Sequence, residues 1–322
     1  MPPAPEVFAS VNLKLLQTFL LVGEHSSFRA AAEKSFRSQS AVSAQIRQLE
    51  SQLGVVLFHR TTRNVRLTAE GQQLLECARR AMREMEMGLR IIREAADLRR
   101  GRVSLACSPT IAATRLARAL AKFERANPGI EIFVRELTST AIFESVRKGE
   151  VDFGIGPVIE TSEFHFETVL EEPLYALVPR RFIRTDRSTI ALSTLANMPL
   201  LLMDPAAALR SLIEDTMRER NLTFTNRFQF TQAQTLISMA EAGMGAAILP
   251  EVALPPRPSA STYVLRIVDP PLMRRMALIT MRGQALSPAS QRLVELLREF
   301  LGPAERPGLR RRSSARLSEK TA

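Results

Sequence analysis

Residues 39 to 47 carry side chains whose types and spacing could read the edges of base pairs. Val42, Ile46 and Leu49 recur at a spacing typical of an α-helix with one apolar stripe. At about 100° per residue, the opposite side presents small polar groups and one arginine, with glutamines on its flanks: Gln39, Ser40, Ser43, Ala44, Arg47 and Gln48. Glutamine and serine can contact base edges and phosphates without bulk, so this face suits a major groove. The alternative is a solvent-exposed helix, although such a helix would more often alternate lysine and glutamate.

A basic segment follows this helix and could contact a phosphate backbone. Gly54 suits the left-handed position that ends a helix. The pattern then predicts a strand over 55–58, a turn over 61–64 and a returning strand over 65–67, with arginines along the hairpin: Arg60, Arg63 and Arg66. Arginines on such a wing supply affinity and register through phosphate contacts. His59 lies among them, and we interpret it as an exposed residue and not as a metal ligand.

Two further helices are predicted to support the polar helix. Leucines at helical spacing predict a first helix over about residues 12–24. Ser26 or Ser27 can cap a second helix, whose alanines permit close packing. Ser38 is placed to cap the third helix, which bears the polar face and runs to about Leu53.

The order of residues through these elements forms a dense, nearly gap-free series: Ser27-Phe28, Ala30-Ala31-Ala32, Gln39-Ser40-Ala41-Val42-Ser43, Ile46, Leu49-Glu50, Leu53-Gly54, Leu57-Phe58, Arg60 and Leu67-Thr68-Ala69-Glu70-Gly71. This series resembles the winged helix-turn-helix of the LysR-type transcriptional regulators. The chain departs from the family at Ala44, a position that is commonly basic, and at His59, where the family usually has an acidic or polar residue. Pattern and resemblance together predict ten DNA-contacting residues: Ser27, Arg29, Gln39, Ser40, Ala41, Ser43, Arg47, Arg60, Arg63 and Arg66.

A long helix is predicted next, over about residues 69–98, with Thr68 as its cap. Apolar residues recur along it at spacings of three and four: Leu74, Ala78, Ala81, Met85, Gly88 or Leu89, Ile92 and Ala96. Such a seam needs a partner helix. Packing against its own chain is the alternative, but a helix about 45 Å long is hard to bury within one small domain. We therefore predict a homodimer on a near-palindromic DNA site, and the resemblance adds a tetramer as a frequent final state.

From residue 103 onward, strands and helices alternate, which is typical of parallel strands joined by crossover helices. Strands are predicted at 103–107, 130–136, 151–155, 200–203, near Phe228, at 246–249 and at 276–280, and helices at 111–126, 140–148, 206–220, 233–242 and 287–301. The segments 151–156 and 242–250 resemble the effector-binding domain of the same family, which is itself similar to periplasmic solute-binding proteins. The resemblance implies two α/β lobes with a cleft between them and covers about residues 10–301.

Hydroxyl-bearing residues lie where several of these predicted strands end and a helix begins. Ligands of open α/β sheets bind at such junctions, where free N–H groups and the helix dipole favour a carboxylate. Helix capping alone is the alternative at each junction. By pattern and resemblance we predict effector contacts by ten residues: Ser108, Pro109, Thr110, Thr138, Ser139, Thr140, Met203, Asp204, Thr231 and Gln232.

Composition narrows the functional classes. The net charge of +11 points to a polyanionic partner. We predict no secretory leader and no membrane span, and we therefore expect a cytoplasmic protein. Cys77 and Cys107 are not spaced like a redox pair or metal ligands, and with only three histidines neither a metal site nor a catalytic triad is expected. No cofactor motif is recognised, because Gly243-x-Gly245 precedes a strand where a dinucleotide motif would follow one.

The sequence thus predicts an α/β protein with four parts. These are a winged helix-turn-helix over 10–67, a linker and dimerisation helix over 68–100, a two-lobed effector-binding domain over 101–301, and a disordered basic tail over 302–322. The predicted function is transcriptional regulation through double-stranded DNA, modulated by a small-molecule effector. A solute-binding protein or an α/β enzyme is the disfavoured alternative, since neither accounts for the first hundred residues.

Overall fold

The computed structural model describes residues 12–60, 65–96, 100–159, 161–204 and 207–302, so the predicted basic tail lies outside the described residues. The chain divides into two compact units, residues 1–92 and 93–322, and each is described by itself.

The first unit is built from helices and one small hairpin. Its elements are α1 (Leu13–His25), α2 (Phe28–Lys34), α3 (Gln39–Leu53), β1 (Phe58–Arg60), β2 (Val65–Leu67) and most of α4 (Ala69–Ala96). The three predicted short helices are confirmed, and each begins at a side chain that accepts a hydrogen bond from a free N–H group. The caps are Asn12, Ser27 and Ser38. Ser27 is therefore the cap of α2, whereas Ser26 ends α1 in the left-handed region at φ 48°.

The core of this unit lies where α1, α2, α3 and the hairpin meet. Val42, Ile46 and Leu49, the apolar stripe of α3, are fully buried. Phe58 packs its ring 5.4 Å from that of Phe19 and 5.8 Å from that of Phe28. Full burial of one such side chain is worth about 1.5–3 kcal/mol, so this packing fixes how α3 presents its other face.

The hairpin begins later than the sequence predicts. The expected strand at 55–58 is wrong: residues 55 and 56 are exposed, and pairing starts at Phe58, opposite Leu67. The cause is the carboxylate of Glu50, which accepts hydrogen bonds from the N–H groups of Leu57 and Phe58. The returning strand at 65–67 is confirmed, and the predicted turn at 61–64 lies outside the described residues.

The long helix α4 is confirmed, and Thr68 caps it by accepting from the N–H of Gly71. Its apolar residues fall into two groups. Leu75, Ala78 and Met82 are buried. A second row on the same helix is exposed and consists of residues of the predicted seam: Ala81, Met85, Leu89 and Ile92. Four residues of the predicted seam are therefore exposed in a single chain, whereas Ala78 is buried and Leu74 packs on the core of its own unit.

The second unit is α/β. Its strands are β3 (Gly101–Cys107), β4 (Ile130–Glu136), β5 (Phe153–Pro157), β6 (Phe164–Pro179), β7 (Thr189–Ala191), β8 (Pro199–Met203), β9 (Thr225–Phe230), β10 (Ala246–Pro250), β11 (Thr262–Val268) and β12 (Met273–Met281). Its α-helices are α5 (Pro109–Ile111), α6 (Ala117–Ala126), α7 (Ser139–Arg147), α8 (Leu192–Ala196), α9 (Ala208–Glu219), α10 (Ala233–Glu241) and α11 (Pro288–Leu301). A π-helical segment, Ala112–Leu116, joins α5 to α6, and a 3-10 turn spans Glu251–Ala253.

The strands form one continuous sheet in the order β4-β3-β5-β12-β6-β10-β8-β9, with β11 paired to β6 and β7 paired to β11. The predicted parallel pairing is confirmed among β3, β4 and β5 and among β8, β9 and β10. The sequence did not predict β6, β7, β11 or the short helix α8. The strand β6 runs antiparallel to β10, β11 and β12, whereas β11 is parallel to β7. The other predicted elements are confirmed to within three residues at each end.

Four hydrophobic clusters lie on this sheet, two per lobe. The largest cluster of the first lobe contains Phe123, Phe153 and Leu293, and the largest of the second contains Leu200, Ile213 and Ile248. The strand β6 belongs to both lobes because it pairs with β12 along its first part and with β10 and β11 along its second. The strand β6 therefore runs from one lobe into the other and is hydrogen-bonded in both.

Candidate functional site

The face of α3 opposite its buried stripe is open to solvent. Gln39, Ser40 and Arg47 are exposed, whereas Ala41 and Ser43 are half-buried. The contacts on this face are local: an Nη of Arg47 donates to Oγ of Ser43 at 3.3 Å, and the hydroxyls of Ser38 and Ser40 lie 2.9 Å apart. Such exposed contacts can be exchanged for DNA contacts at small cost, because water already competes with them.

The other predicted DNA-contacting residues are placed as follows. Ser27 is half-buried and its oxygen accepts from the N–H of Ala30. Arg29 is exposed and forms an ion pair with Glu33 at 3.0 Å. Arg66 is exposed on β2, opposite His59 in the hairpin pairing. The side chain of Arg60 and the whole of Arg63 lie outside the described residues.

A polar network that the sequence did not reveal holds α3 against the elements before it. Oε1 of Gln45 accepts from Arg37 at 2.6 Å and from the hydroxyl of Thr18 at 2.7 Å. Thr18 is buried on α1 and Arg37 lies in the turn before α3. Gln45 thus ties the helix that bears the polar face to both of its neighbours.

In the second unit, a pocket of about 250 Å³ opens at the carboxyl ends of strands from both lobes. Eight of the ten residues predicted for the effector line it: Ser108, Pro109, Thr110, Thr138, Ser139, Met203, Asp204 and Thr231. Thr140 and Gln232 are not among its lining residues. Thr140 is the second residue of α7 and Gln232 precedes α10, and both side chains are exposed.

Ser108 lies at the inner end of this pocket, directly after β3. It is only 8% exposed, and its Oγ is one of two buried side-chain polar atoms in the described residues that have no hydrogen-bond partner. A buried hydroxyl without a partner costs about 1–3 kcal/mol. The Oγ therefore offers a bond to whatever enters the pocket.

A buried ion pair forms the pocket wall beside Ser108. Nε of Arg274 donates to Oε1 of Glu172 at 3.0 Å, a second nitrogen makes a shorter bond to the same oxygen, and a third donates to Oγ1 of Thr110 at 2.9 Å. Oε2 of Glu172 accepts from the N–H of Val252. Burial lowers the pKa of Arg274, and the charge of Glu172 opposes this effect. The guanidinium is thus fixed and its charge largely compensated before any ligand arrives.

No local pattern reveals this pair, because its members lie 102 residues apart. The adjacent arginines 274 and 275, just before the strand predicted at 276–280, were the one available signal. The observed strand begins at Met273 and places Arg275 outward at the pocket rim.

The rest of the pocket is largely apolar and is shared by both lobes. The apolar lining includes Pro157, Val158, Leu209, Leu212, Met273 and Met276, which the sequence did not predict. The starts of α7 and α9 meet at its mouth, where Oγ of Ser139 accepts from the N–H of Ala208 at 3.4 Å. Two helix N-termini favour negative charge at this end of the pocket.

Neither thiol is placed like an activated cysteine. Burial, with the nearby charge of Glu136, raises the pKa of Cys107 to about 12, so its reactive thiolate is scarce at neutral pH. Cys77 is exposed on α4, in the other unit. Over the described ranges, no group of three or more His, Cys, Asp or Glu side chains could hold a metal ion. In the same part of the chain, no helix is both long and apolar enough to cross a membrane.

The two units and their sites define a DNA-binding unit joined to a ligand-binding unit. Comparison with known families agrees: the lysR family of bacterial regulatory helix-turn-helix proteins matches residues 13–72, and the LysR substrate binding domain matches residues 96–302. The chain belongs to the LysR family of transcription regulators, whose members bind DNA and respond to effectors.

Individual relatives match along nearly the whole chain. The HTH-type transcriptional regulator YfeR of Shigella flexneri is 32% identical over 292 residues, covering 89% of this chain and 94% of the relative. The DNA-binding transcriptional dual regulator OxyR of Escherichia coli is 27% identical over 290 residues, covering 89% and 95%.

Among solved structures, a full-length OxyR variant from Pseudomonas aeruginosa has a TM-score of 0.66 at 22% identity, covering 90% of this chain and 94% of that one. CbnR in complex with its target DNA has a TM-score of 0.52 at 23% identity, covering 90% and 100%. These structures share the fold of this chain.

Proposed function

We propose that the exposed face of α3 reads a near-palindromic DNA site and that the pocket of the second unit binds a small organic acid. The reading face consists of Gln39, Ser40, Ser43 and Arg47, with Ser27, Arg29, Ala41 and the wing arginines 60, 63 and 66 beside the phosphates. Gln and Ser meet base edges and Arg meets guanine or phosphate. A regulator of this kind acts in the cytoplasm, on the bacterial chromosome.

The observation that carries the effector proposal is the buried Oγ of Ser108 without a partner, at the inner end of a pocket with apolar walls. One carboxylate oxygen would accept from this hydroxyl, and the helix N-termini at the pocket mouth favour the negative charge. The volume of about 250 Å³ lies just below the range of about 300–1,000 Å³ typical of drug-sized ligands, which favours a short acid with a small apolar body.

Ligand binding fits this pocket better than catalysis does. Its polar groups are hydroxyls, an arginine already held by Glu172, Arg275 at the rim, and Asp204 beside Met203 at a strand end. A pair consisting of an activated nucleophile and a base is the usual requirement for covalent catalysis, and no such pair lines this pocket.

Several relatives carry the name hydrogen peroxide-inducible genes activator, which makes thiol oxidation a second candidate signal. The thiols of this chain argue for the ligand instead. Cys107 is fully buried with a pKa of about 12, and Cys77 lies in the other unit.

We also propose that the exposed row on α4 pairs two chains, and that dimers assemble further into a tetramer. Met85, Leu89 and Ile92 are 45%, 49% and 68% exposed in a single chain. Burial of such a row against its copy is the usual way to form a helix pair. Sedimentation of Leu89→Glu should show monomers at concentrations where the parent chain is oligomeric, with the exposed Glu84→Gln on the same helix as the control.

The effector proposal is tested with the full-length chain and a duplex selected by it from a random DNA pool. Melting temperature and duplex affinity are measured against a panel of short aliphatic and aromatic carboxylates. At least one acid should raise the melting temperature and change the duplex affinity, and Ser108→Leu should abolish both effects while leaving ligand-free DNA binding intact. A response that survives in Ser108→Leu would remove Ser108 from the site.

A further inference from the structure

Phe36 lies in the turn between α2 and α3 and is the most exposed large hydrophobic residue of the described chain, at 96%. Single exposed apolar residues are common, so exposure alone carries no argument. The backbone of Phe36 supplies a second observation, because its φ is 52°, in the left-handed region that aromatic residues rarely adopt.

The turn that holds Phe36 is a Schellman motif, which ends a helix with one left-handed residue. The N–H of Arg37 donates to the carbonyl of Ala32 at 3.0 Å, and the N–H of Phe36 donates to that of Glu33 at 3.3 Å. Glycine or asparagine is the usual occupant of the left-handed position, since a larger side chain strains the backbone there.

Three other helices of this chain end in the same pair of hydrogen bonds and follow the rule. The left-handed residue is Gly149 after α7, Asn221 after α9 and Gly243 after α10. After α9 the next residue, Leu222, packs on the core, as the motif usually requires, whereas Glu150 after α7 and Met244 after α10 are exposed. Phe36 is the exception among these four ends: it adds strain and gains no burial in return.

The residue after Phe36 departs from the motif as well. Where an apolar side chain would usually turn inward, Arg37 turns to Gln45 on α3, at 2.6 Å. The turn is thereby fixed with its charged residue inward and its aromatic ring outward. The bond to Gln45 accounts for the inward arginine, but it does not explain an aromatic ring that is 96% exposed. A contact outside the chain would account for the ring.

Phe36 comes two residues before Ser38, the cap of α3, and three before Gln39. The N-terminal residues of a recognition helix are those that approach base edges. The most apolar group on the floor of a major groove is the thymine methyl, and phenylalanine is one of the side chains that contact it. The flank of a deoxyribose is the other apolar surface within reach.

We propose that the ring of Phe36 packs against bound DNA, on a thymine methyl or on the neighbouring deoxyribose, and so sets part of the sequence preference. This rests on the proposed function of α3. The strained backbone holds the ring outward at the start of α3. If the ring faced inward, the start of α3 would present only polar side chains to the DNA.

The test compares the full-length parent chain with Phe36→Asn and Asn221→Gly, using a duplex that the parent selects from a random pool. Phe36→Asn should raise the melting temperature by about 2 °C or more, because asparagine tolerates the left-handed region. The same variant should bind the duplex about tenfold more weakly, since each of two reading heads loses an apolar contact. Asn221→Gly changes the left-handed residue of the same motif in the second unit and should leave the affinity unchanged.

A second arm replaces each thymine of the selected half-site with deoxyuracil, which removes only the methyl. If the ring meets a methyl, one replacement should weaken duplex binding by the parent chain about fourfold. The same replacement should hardly change duplex binding by Phe36→Asn. If the ring meets a deoxyribose, Phe36→Asn should weaken binding equally on every duplex of the set.

Other outcomes overturn the proposal. A lower melting temperature for Phe36→Asn would show that the ring stabilises the fold. An unchanged affinity would remove DNA as its partner, and if transcription were then lost, the ring would belong to a protein contact such as RNA polymerase. Failure of the parent chain to select any duplex would instead refute the proposed function of α3.

Discussion

The reading face of α3 and the pocket of the second unit both depend on arginine and hydroxyl groups, but these groups have very different partners. On the reading face the contacts join residues two to four positions apart, as between Arg47 and Ser43, and the partners are exposed or half-buried. In the pocket, Arg274 reaches partners 102 and 164 residues away, and all three residues are buried.

This difference matches what each site must do. A surface that meets a polyanion must exchange its partners at small cost, because hydrated and bound forms alternate. A pocket that distinguishes small molecules needs its polar groups fixed in advance, since ordering them on binding would reduce affinity. The first site is therefore assembled along one helix, and the second depends on the whole sheet.

The largest effect should follow from Glu172→Gln, which leaves the buried guanidinium of Arg274 without its compensating charge. Breaking a buried pair from one side costs about 3–5 kcal/mol, so the midpoint of urea unfolding of the second unit should fall sharply. The matched control is Glu167→Gln, on the same strand β6, whose pair with Arg298 is exposed. The control should cost less than about 1 kcal/mol. Equal losses in the two variants would erase the contrast between buried and exposed partners.

The next effect concerns DNA and should leave stability untouched. Arg47→Ala should weaken binding to the selected duplex by about 1–3 kcal/mol if the guanidinium reads a base, while the melting temperature stays within error. Arg125→Ala removes the same charge from an exposed position of the second unit and serves as the control. Affinity that is unchanged at fixed salt would exclude Arg47 from the reading face.

A smaller effect should appear at Ser108. Ser108→Ala removes a buried hydroxyl that has no partner, so the ligand-free chain should keep its stability or gain up to about 1 kcal/mol. An acid identified in the panel should bind about 1 kcal/mol more weakly, because one hydrogen bond is lost. Isothermal titration measures the affinity for the acid, and urea unfolding measures the stability of the ligand-free chain. A loss of stability without the ligand would show that Ser108 stabilises the fold instead.

The smallest effect is a pH dependence on the surface. The hydrogen bonds and charge of Arg298 hold the pKa of Glu167 below its ordinary value of 4.5. A lowered folded-state pKa contributes stability that is present above the unfolded-state pKa and is lost as the pH falls through the folded-state value. The difference in urea midpoint between the parent chain and Glu167→Gln should therefore shrink below about pH 4.5. A difference that grows on acidification would contradict this sign.

The same contrast between local and distant partners explains what the sequence could predict. The helix α3 was predicted with its cap, its stripe and its end, because Ser38, Ile46 and Gly54 are local signals. Ser108 and Thr110 were also predicted for the pocket, since a strand end followed by a helix start is visible in a short window. The polar residues of α3 lie on an exposed face, and Ser108 and Thr110 line the pocket, as their predicted roles require.

Features that depend on distant partners were missed. Arg274 gives no signal without Glu172, and the late start of β1 follows from the reach of Glu50 to Leu57. The strand β6 escaped prediction because its buried residues join different hydrophobic clusters along its length, so no single alternation runs through Phe164–Pro179. The sequence around Phe36 indicates only a break between two helices, because the exposure and the φ of this residue exist only in the folded chain.

That β6 is shared by both lobes has a consequence for how the second unit unfolds. Residues 164–173 complete the sheet of one lobe and residues 174–179 that of the other, with no linker between them. If either lobe melts, it withdraws the strand that its neighbour needs, and a bare sheet edge is left behind. The two lobes should therefore exchange their innermost amide hydrogens at a common rate, as one cooperative unit.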